Sequence, residues 1–491
     1  MKIIKNFKAN NKILNFIKYS GIVYVAQLLN ILYIFLLPKF LEPTMMGEFN
    51  IIQVIYSYLT FSNLGIWYGL DKEIPALIQK QDTAEVTRKL NNGVSSSIAI
   101  SLIIEAALIL FSIFFYSKYG DICLGVLIST VAIVFYQFVG ILKIIARAGE
   151  QVNQMSSLAL MYGLVWTGCR IIGVILYGFW GLLFGMLAAN IIATFASSQI
   201  TKIKINFEFD LKEIKHLFKT GFPFFLCVFL TVLFFSLDKW ALSMSLGFEE
   251  VGYYAIGSMV LGFLIMLPTS INELLFPGLL KKISLEVDKK IISDYLKRFV
   301  LISSKLFAII IAGLIVVIPF IVNGFFPKYQ PGILSAQVLL IACYPFIFQN
   351  LFSYYLFGIK RTKLIIFVLV FSIIFFIVSA FALKMLNMIN LVSVAMLMAI
   401  SSFLQSYLII YFSFLELKFS AKEMVLYLAK SLVPLYIIGL AFLIPFLLKF
   451  NQTNLFKSLL LVLIYEILLA LLALPLLKSV WLVLSGKKQI K

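Results

Sequence analysis

Seven charged residues, all Asp, Glu, Lys or Arg, stand inside long apolar runs of the sequence, where a charge is costly unless it has a partner or a function. On insertion scales a charged side chain costs about 2.5–3.5 kcal/mol at the centre of a membrane helix, so each should face a cavity or an opposite charge. Basic groups there suit anions such as phosphate, and acidic groups suit a proton or another cation. The seven are Glu105, Arg170, Asp238, Lys239, Glu273, Lys305 and Glu466.

These residues differ in depth along their runs. Glu105 stands eleven residues into its run, about 16 Å at the rise of an α-helix, which places it near the middle. Arg170 and Asp238 each stand about eight residues from the end of a run, where they could pair with each other or bind a ligand. Glu273 and Lys305 lie near run ends, so interfacial anchoring is an alternative to binding.

Three further basic residues could bind an anion, but their sequence positions also bear on local ion pairs. Lys239 follows Asp238 directly and should project about 100° away from it, so the pair is not expected to share a helix face. Lys143 and Arg147 are one helical turn apart and together could receive a phosphate. Arg147 also stands three residues before Glu150, a spacing that suits a local ion pair.

Polar residues also recur at helical spacing within the first two apolar runs. A polar stripe facing lipid would be costly, so these residues should line a cavity or a contact between helices. The sequence leaves both interpretations open. The residues are Gln27 and Asn30 in the first run and Gln53, Tyr56, Ser57, Thr60 and Asn63 in the second.

Fourteen apolar runs must position these residues, and each is long enough, at roughly 20 residues, to cross a hydrocarbon core as a helix. The chain is 62% hydrophobic and 13% charged, with a mean hydropathy of +1.03. Continuous runs favour helices over a β-barrel. We predict an all-α integral membrane protein with spans near 16–37, 46–70, 94–116, 122–142, 154–178, 179–200, 220–246, 251–275, 299–322, 333–357, 364–383, 391–414, 431–448 and 455–477.

The basic residues are partitioned between alternate connections. Of the 41 Lys and Arg residues, 32 fall on every second connection and six on those in between. Because basic residues are retained on the cytoplasmic side, both chain ends are predicted to be cytoplasmic. The net charge of +19 then reflects loops facing anionic lipid rather than nucleic acid. The first run is too long for a secretory signal and is expected to be a retained helix.

Several kinds of chemistry lack the necessary residues. His216 is the only histidine, so histidine-based catalysis and His-rich metal sites are not expected. Cys123, Cys169, Cys227 and Cys343 are scattered singly, which suits buried thiols better than a metal site or disulfides. No phosphate-binding GxxxxGK[ST] loop is present, and the outer connections are too short for a catalytic domain. We therefore expect no enzymatic activity.

A short internal repeat relates the two halves of the chain. Ser20-Gly21 and Thr220-Gly221 each open an apolar run, and about 26 residues later come the similar segments LEPTMMGEFN and LGFEEVGYYA. Six spans separate the copies, so both would enter the membrane in the same direction, with a pseudo-two-fold axis along the membrane normal. The alternative is two similar turns by chance. Before the second copy, Asp210 and Glu213 have capping-box spacing, which predicts a short interfacial helix.

These segments also resemble a known family. The chain is similar to the polysaccharide transporter family, the Wzx-type O-antigen flippases of the multidrug/oligosaccharidyl-lipid/polysaccharide superfamily. One departure is Lys239, where the family often has an arginine; a lysine loses the bidentate fork that suits phosphate oxygens. The segments that carry the resemblance are PKFLEPTMMGEFN, NLGIWYGLDKEIP, GFPFFLCVFLTVLFFSLDKWALSMSLGFEEVGYYAIG, ARAGEQVN and FPKYQPG.

The resemblance implies two six-helix lobes around a central cavity, at 1–205 and 206–418, with two accessory helices and a basic tail in 419–491. It also implies alternating access that moves a polyprenyl-diphosphate-linked oligosaccharide, such as an O-antigen or capsule repeat unit, to the outer leaflet of a bacterial inner membrane. Lys143, Arg147, Arg170, Lys239 and Lys305 are the phosphate-binding candidates.

The remaining site candidates are Gln27, Asn30, Gln53, Tyr56, Thr60, Asn63, Glu105, Asp238 and Glu273, expected to line the cavity or take part in coupling. Coupling to an H+ or Na+ gradient is possible without a bound cofactor, and a glycan polymerase or other biosynthesis proteins are possible partners. The alternative function is a cation-coupled multidrug exporter of the same superfamily, in which Glu105 or Asp238 would be the protonatable group.

Overall fold

The computed structural model describes residues 29–440, apart from 31, 81, 149–151, 202–205, 286–287 and 420. Within these residues the regular structure is helical and contains no β-strand. The helices are α1 (32–40), α2 (Pro43–Leu59), α3 (Ile66–Gln79), α4 (Thr83–Phe114), α5 (Tyr116–Tyr119), α6 (Asp121–Ala148), α7 (Val152–Thr201), α8 (Leu211–Phe234), α9 (Leu237–Ser245), α10 (Phe248–Ser284), α11 (Lys289–Phe325), a 3-10 helix (Pro327–Gly332), α12 (Ile333–Gly358), α13 (Thr362–Met385), α14 (Leu391–Glu416) and α15 (Ala421–Leu432).

Ten helices in the described part of the chain are long and apolar enough to cross a membrane, by length and composition. They include α13, which exposes large apolar side chains such as Phe367, Ile374 and Phe381 that a membrane helix would present to lipid. The predicted all-α membrane fold is confirmed. The predicted span 455–477 lies outside the described residues, and 16–37 and 431–448 lie partly outside them.

Helix α7 contains two predicted spans separated by a kink. Tyr177 and Gly178 leave the helical conformation, and Gly178 has a φ of +57° that a residue without a Cβ adopts readily. The sequence predicts a boundary between residues 178 and 179, within one residue of this kink. Gly173 before the kink and Gly181 after it face each other so closely that a Cβ on either would meet the carbonyl group of the other.

The predicted continuous span at 46–70 is wrong, because α2 and α3 are separated by turns over residues 60–65. Leu64 and Gly65 have positive φ angles of 48° and 90°. The Asn63 side-chain oxygen accepts a hydrogen bond from the Gly65 N–H at 3.1 Å, which replaces one backbone bond lost at the break. Mean hydropathy did not indicate the interruption, since the run stays apolar across it.

The predicted span at 220–246 is also interrupted, with α8 ending at Phe234 and α9 beginning at Leu237. At its other end, α8 begins at Leu211 and runs without a break into the apolar segment, so the separate interfacial helix predicted at Asp210 is wrong. Asp210 does act as the N-cap, because its side chain accepts a hydrogen bond from the Lys212 N–H at 2.9 Å.

The chain forms two compact units, unit 1 up to Ser236 and unit 2 from Leu237. In unit 1, α8 packs closely on α3: a Cβ at Gly69 would lie 2.5 Å from the Leu217 carbonyl oxygen. In unit 2, α12 is the central helix and packs against α10, α11 and α14. The lobe limits predicted from the family resemblance stay a prediction.

The two copies of the predicted repeat begin their helices at equivalent positions, one copy in each unit. In LEPTMMGEFN, α2 starts at Pro43, and in LGFEEVGYYA, α10 starts at Phe248. Each start lies two residues after the leucine that opens the segment, and Gly47 and Gly252 each follow four residues later. The local structure therefore agrees with the repeat at these two turns.

Candidate functional site

Four aromatic side chains form a closed group inside unit 1, which we call the aromatic quartet: Tyr56 of α2, Tyr136 of α6, and Tyr162 and Trp166 of α7. Tyr162 and Trp166 are one helical turn apart and stacked, with ring centroids 5.7 Å apart. Trp166 also stacks on Tyr56 at 5.7 Å, and Tyr136 contacts Tyr56 at 6.4 Å and Tyr162 at 6.1 Å. Three helices thus meet at one aromatic surface.

Arg170 lies one turn beyond Trp166 on α7 and is only 4% exposed. Its guanidinium carbon is 4.7 Å from the ring centroid of Trp166, 4.0 Å from that of Tyr33 and 5.6 Å from that of Phe49. The guanidinium also donates a hydrogen bond to the Tyr33 hydroxyl. Its Nε has no hydrogen-bond partner among the described residues. The rings stabilise the cation but do not neutralise it.

Lys143 approaches the quartet from α6. Its ammonium nitrogen lies 4.0 Å from the ring centroid of Tyr162. Because Tyr162 and Arg170 are eight residues apart on α7, roughly 12 Å along the helix, the two cations contact different ends of the quartet's α7 side. The quartet is therefore an aromatic surface with a cation at each end.

The predicted polar stripe of span two divides between two kinds of contact. Gln53 donates to the Met186 sulfur at 3.3 Å, and Tyr56 accepts from the Asn190 amide at 3.2 Å, so both reach α7. The hydroxyls of Ser57 and Thr60 instead donate to backbone carbonyls within their own helix, at 2.6 Å each. Asn63, at the end of the stripe, caps the break between α2 and α3 as described above.

A chain of side-chain hydrogen bonds crosses that break. Gln137 of α6 donates to the Ser62 hydroxyl at 2.6 Å, and Ser62 donates to the Ser101 hydroxyl of α4 at 2.9 Å. The other amide atom of Gln137, Oε1, is buried and has no partner among the described residues. We call this set the Ser62 chain. It links the interrupted helix to its two neighbours.

Glu105 lies one turn after Ser101 on α4 and is 2% exposed. Neither of its carboxyl oxygens has a hydrogen-bond partner in the described part of the chain. It lies nine residues before Phe114, the last residue of α4, and its predicted depth near the middle of the membrane stays a prediction. The structure thus gives unit 1 a buried carboxyl without a recorded counter-charge.

A separate ionic cluster joins the middle of α3 to the first two turns of α4 and of α8 around Lys89, and we call it the Lys89 cluster. The Lys89 ammonium lies 2.7 Å from a Glu73 oxygen and 2.6 Å from a Glu213 oxygen. His216 lies 2.7 Å from the other Glu73 oxygen, and Arg88 lies 3.5 Å from Glu213. The cluster holds the start of α8 against the middle of α3 and the start of α4.

In unit 2, Asp238 and Lys239 open α9 together. The Asp238 side chain is 1% exposed and accepts a hydrogen bond from the Lys239 N–H at 2.8 Å. The Lys239 ammonium turns back to 3.5 Å from the same oxygen. The two residues were predicted to lie on different helix faces, and the contact does not require a shared face, because a four-carbon stem in the first helical turn is long enough to fold back. Pairing of Asp238 with Arg170 stays a prediction.

Comparison with known proteins identifies the family. A family model described as polysaccharide biosynthesis protein matches residues 36–329, more than half of the chain. The chain belongs to this family. No curated protein matches the sequence. The family resemblance found in the sequence is thereby confirmed.

Solved structures define the fold of this polysaccharide biosynthesis family member. The lipid II flippase MurJ in an inward closed conformation matches with a TM-score of 0.70 and 17% identity over 94% of this chain and 99% of that one. An inward-facing multidrug resistance MATE transporter of the MOP superfamily matches with 0.63 and 13%, over 82% and 98%. An outward-facing MATE transporter matches with 0.58 and 13%, over 82% and 95%. The protein therefore has the fold of this superfamily.

The structure describes only some of the other candidate residues of this family member. Asn30 is partly buried ahead of α1, and Lys305 is exposed on α11. Gln27 and Glu466 lie outside the described residues, and the side chains of Arg147 and Glu273 also lie outside the described part of the structure. None of these residues is brought to the aromatic quartet by a described contact, so their roles stay predictions.

Sequence reasoning missed a neutral polar core in unit 2 between α12 and α14. Gln349 accepts a hydrogen bond from the Ser406 hydroxyl at 3.1 Å, while both amide atoms of the neighbouring Gln405 are buried without a described partner. The hydroxyls of Ser401 and Ser402, one turn earlier, are also buried and have no described hydrogen-bond partner. The sequence contains the pattern that indicates this core, because these polar residues recur at helical spacing within an apolar run. In unit 2, however, the sequence prediction rested on charged residues alone.

Proposed function

We propose that this protein is a flippase for a polyprenyl-diphosphate-linked oligosaccharide, an O-antigen, capsule or similar repeat unit, which it moves from the cytoplasmic to the outer leaflet of a bacterial inner membrane. The family match supports a role in polysaccharide biosynthesis. The observation that carries the proposal is the aromatic quartet with Lys143 and Arg170 against its α7 side. Both termini are then cytoplasmic, and membrane lipids surround the spans.

The chemistry of this surface suits the two polar parts of such a substrate. Arg170 is a buried cation that has no carboxylate partner among the described residues, and such a cation favours an anion, which a diphosphate supplies. Aromatic faces present apolar surface to the C–H faces of sugar rings, and the Asn190 amide holds Tyr56 in place by donating a hydrogen bond to its hydroxyl. The polyprenyl tail needs no cavity because it can remain in the bilayer. Alternating access would then expose the quartet first to one leaflet and afterwards to the other.

The same two cations argue against the alternative of a multidrug exporter. Aromatic pockets that recognise organic cations rely on the ring faces to attract positive charge. Here Arg170 and Lys143 already occupy such faces, so a cationic drug would meet like charge. A flippase in this family would work with the enzymes and the polymerase that make and extend the repeat unit, and it need not be an enzyme itself.

The deciding experiment measures transfer between leaflets. Proteoliposomes containing the purified full chain receive a labelled polyprenyl-diphosphate oligosaccharide, and an impermeant glycan-modifying reagent reports how much of it reaches the other leaflet. We expect protein-dependent transfer that the unlabelled lipid competes away and that a cationic dye does not. Absence of transfer, together with dye extrusion under a proton gradient, would favour the exporter.

A further inference from the structure

Helix α4 separates a buried polar stripe from an exposed apolar face. Ser97, Ser101 and Glu105, at successive turns, are 1%, 2% and 2% exposed. On the opposite side, Leu102 is 46% and Ile103 is 70% exposed. Because lipid is the partner of the apolar face, Glu105 points into the helix bundle, and snorkelling to an interface does not explain it.

The surroundings of Glu105 offer little to stabilise a negative charge. Its helix neighbours Ile104 and Leu108 pack on a core that contains Ile133 and Met186, and the titratable groups of that core are the hydroxyls of Tyr56 and Tyr136. These phenols are weak acids that are neutral at physiological pH. Apolar contacts therefore dominate this depth of unit 1.

The charged groups on helices packed against α4 lie far from Glu105 along its axis. Glu73 of α3 and Glu213 of α8 meet α4 at Lys89, sixteen residues before Glu105 and therefore about 24 Å away at the helical rise. Lys118 of α5 lies beyond the other end of α4, where it contacts the Tyr119 ring at 5.0 Å. On α6, Lys143 lies ten residues beyond Ile133, about 15 Å along that helix, against Tyr162.

An ionised carboxylate in this position would be expensive. Burial of a charge without hydrogen bonds or a counter-ion costs far more than burial of the neutral acid, so the group takes up a proton instead. A metal cation would need several oxygen ligands. The described residues contain no group of three or more His, Cys, Asp or Glu side chains that could hold one. The fitting ligand is a proton.

Glu105 is next to the hydrogen bonds that cross the interrupted helix. Ser101, one turn earlier on the same buried stripe, is the end of the Ser62 chain, and Ser62 lies in the 60–65 break between α2 and α3. A carboxylate formed at Glu105 would need a donor, and the Ser101 hydroxyl is one turn away. Interrupted helices recur at the sites of transporters, where they can change shape without breaking the surrounding bundle.

We propose that Glu105 takes up and releases the proton that couples this flippase to a proton gradient, acting on the break between α2 and α3. The inference rests on the proposed function. Uptake forms one O–H bond on the carboxylate with a proton from water, and release returns that proton to water. The carboxylate accepts a hydrogen bond from the Ser101 hydroxyl, and this alters the Ser62 chain at the break. Tyr56 lies one turn before the break, so its position in the aromatic quartet changes as well.

Two buried hydroxyls mark an approach to Glu105 from the α5 end of α4. Ser112 lines a groove with Ile113, Tyr116, Cys123, Leu124 and Leu127. Helix α4 ends at Phe114 and α6 begins at Asp121, with α5 between them. Glu105 stands nine residues before the end of α4, and Ser129 stands eight residues after the start of α6, so the two lie at a similar distance along their helices from α5. Neither Ser112 nor Ser129 has a hydrogen-bond partner for its hydroxyl among the described residues.

Infrared difference spectroscopy tests proton binding without any substrate. The purified full chain in lipid nanodiscs is titrated from about pH 5 to about pH 9, a range that lies above the pKa of an ordinary glutamate. We expect a protonated-carboxyl band that disappears as the pH rises, is absent in Glu105→Gln and remains in Glu85→Gln, a control at a partly exposed carboxylate of the same helix that pairs with Arg88. The same titrating band in wild type and Glu105→Gln would overturn the proposal, and so would a band that never titrates.

Gradient-driven transfer tests coupling. In the proteoliposome assay, a gradient of about one pH unit, tenfold in proton concentration, should change the steady-state ratio of the labelled lipid between the two leaflets about tenfold per coupled proton in wild type. Glu105→Gln should reach the same ratio with or without the gradient, and Glu105→Asp should keep part of the response. A full response in Glu105→Gln would overturn the inference. If wild type transfers no labelled lipid, the proposed function fails, while the infrared titration still decides whether Glu105 exchanges a proton.

Discussion

The guanidinium carbon of Arg170 lies 4.7 Å from the ring centroid of Trp166, its neighbour one turn earlier on α7. The indole face attracts the cation and fixes the plane of the guanidinium without cancelling its charge. Tyr33 adds a second ring at 4.0 Å and the acceptor for the guanidinium. Arg170 is therefore held rigidly while it keeps the positive charge that an anionic ligand requires.

Arg170→Lys tests whether that planar arrangement matters. A lysine retains the charge but loses ring stacking and the fork of donors, and a desolvated cation–π contact is worth about 2 kcal/mol. We expect transfer of the labelled lipid to fall more than about tenfold, since 1.4 kcal/mol corresponds to a factor of ten. Lys118→Ala, which removes an exposed cation–π contact with Tyr119, is the control and should transfer normally. Normal transfer by Arg170→Lys would exclude the planar fork from the mechanism.

Gly221→Ala tests the close approach of α8 to the interrupted helix. A Cβ at Gly221 would meet the Gly65 carbonyl oxygen and would lie 2.6 Å from the Gly69 backbone nitrogen. Because neither backbone group can rotate away, we expect destabilisation of about 3 kcal/mol or loss of folded protein. Gly168→Ala in α7 has open space around the new methyl group, and helix propensity favours alanine there by about 1 kcal/mol. Thermal melts in detergent should therefore shift in opposite directions.

The sequence was sufficient for the helical membrane fold but not for its interruptions. The kink at Gly178 could be located because a change of direction between two apolar runs requires a turn, and a glycine stands there. The break at residues 60–65 could not, because hydropathy averages over a run that stays apolar on both sides of it. What interrupts that helix is a local hydrogen bond from Gly65 to Asn63, which residue composition does not reveal.

For the site, the sequence named individual residues but not their partners. Arg170 and Tyr56 were singled out as polar residues within apolar runs, and Lys143 as a basic residue at the end of one, yet nothing in their spacing brings α2, α6 and α7 together. Trp166 and Tyr162 were not singled out, because aromatic residues are common in membrane helices. The i, i+4, i+8 series formed by these two residues and Arg170 becomes informative only once the neighbouring helices are known.

Lys89→Ala tests the ionic cluster that holds the start of α8. The lysine side chain is 10% exposed and bridges Glu73 and Glu213 at 2.7 and 2.6 Å, so its removal leaves two carboxylates facing each other without a cation. We expect destabilisation of about 3 kcal/mol. The matched control is Arg361→Ala, which breaks an exposed pair with Glu416 at 2.8 Å and should cost less than about 1 kcal/mol. Equal melting shifts in the two variants would show that the Lys89 cluster is no more than a surface interaction.

The Lys89 cluster should also make stability depend on pH. Glu73 lies beyond the predicted end of span two. Burial raises the pKa of its carboxyl, but the hydrogen bond and charge of Lys89, together with the charge of His216, outweigh burial and lower the pKa of Glu73. A carboxyl with a lowered folded-state pKa stabilises the protein above its ordinary pKa of about 4.3, and this contribution is lost as the pH falls through the lowered value. Melting temperatures between about pH 3 and about pH 6 should therefore fall less steeply in Glu73→Gln than in wild type. Parallel profiles would show that Glu73 does not contribute.

Gln405→Met tests the neutral core of unit 2 by the sign of a stability change. Gln405 is 1% exposed and both atoms of its amide lack a described partner, so replacement by an apolar side chain of similar size should remove a penalty of about 1–3 kcal/mol. Gln337 is the control: it is 6% exposed, but its amide donates to the Ile315 carbonyl at 2.8 Å. Gln337→Met should lower the melting temperature in detergent and Gln405→Met should raise it. A fall in both variants would mean that the Gln405 amide is hydrogen-bonded in the protein, for which bound water is the available partner.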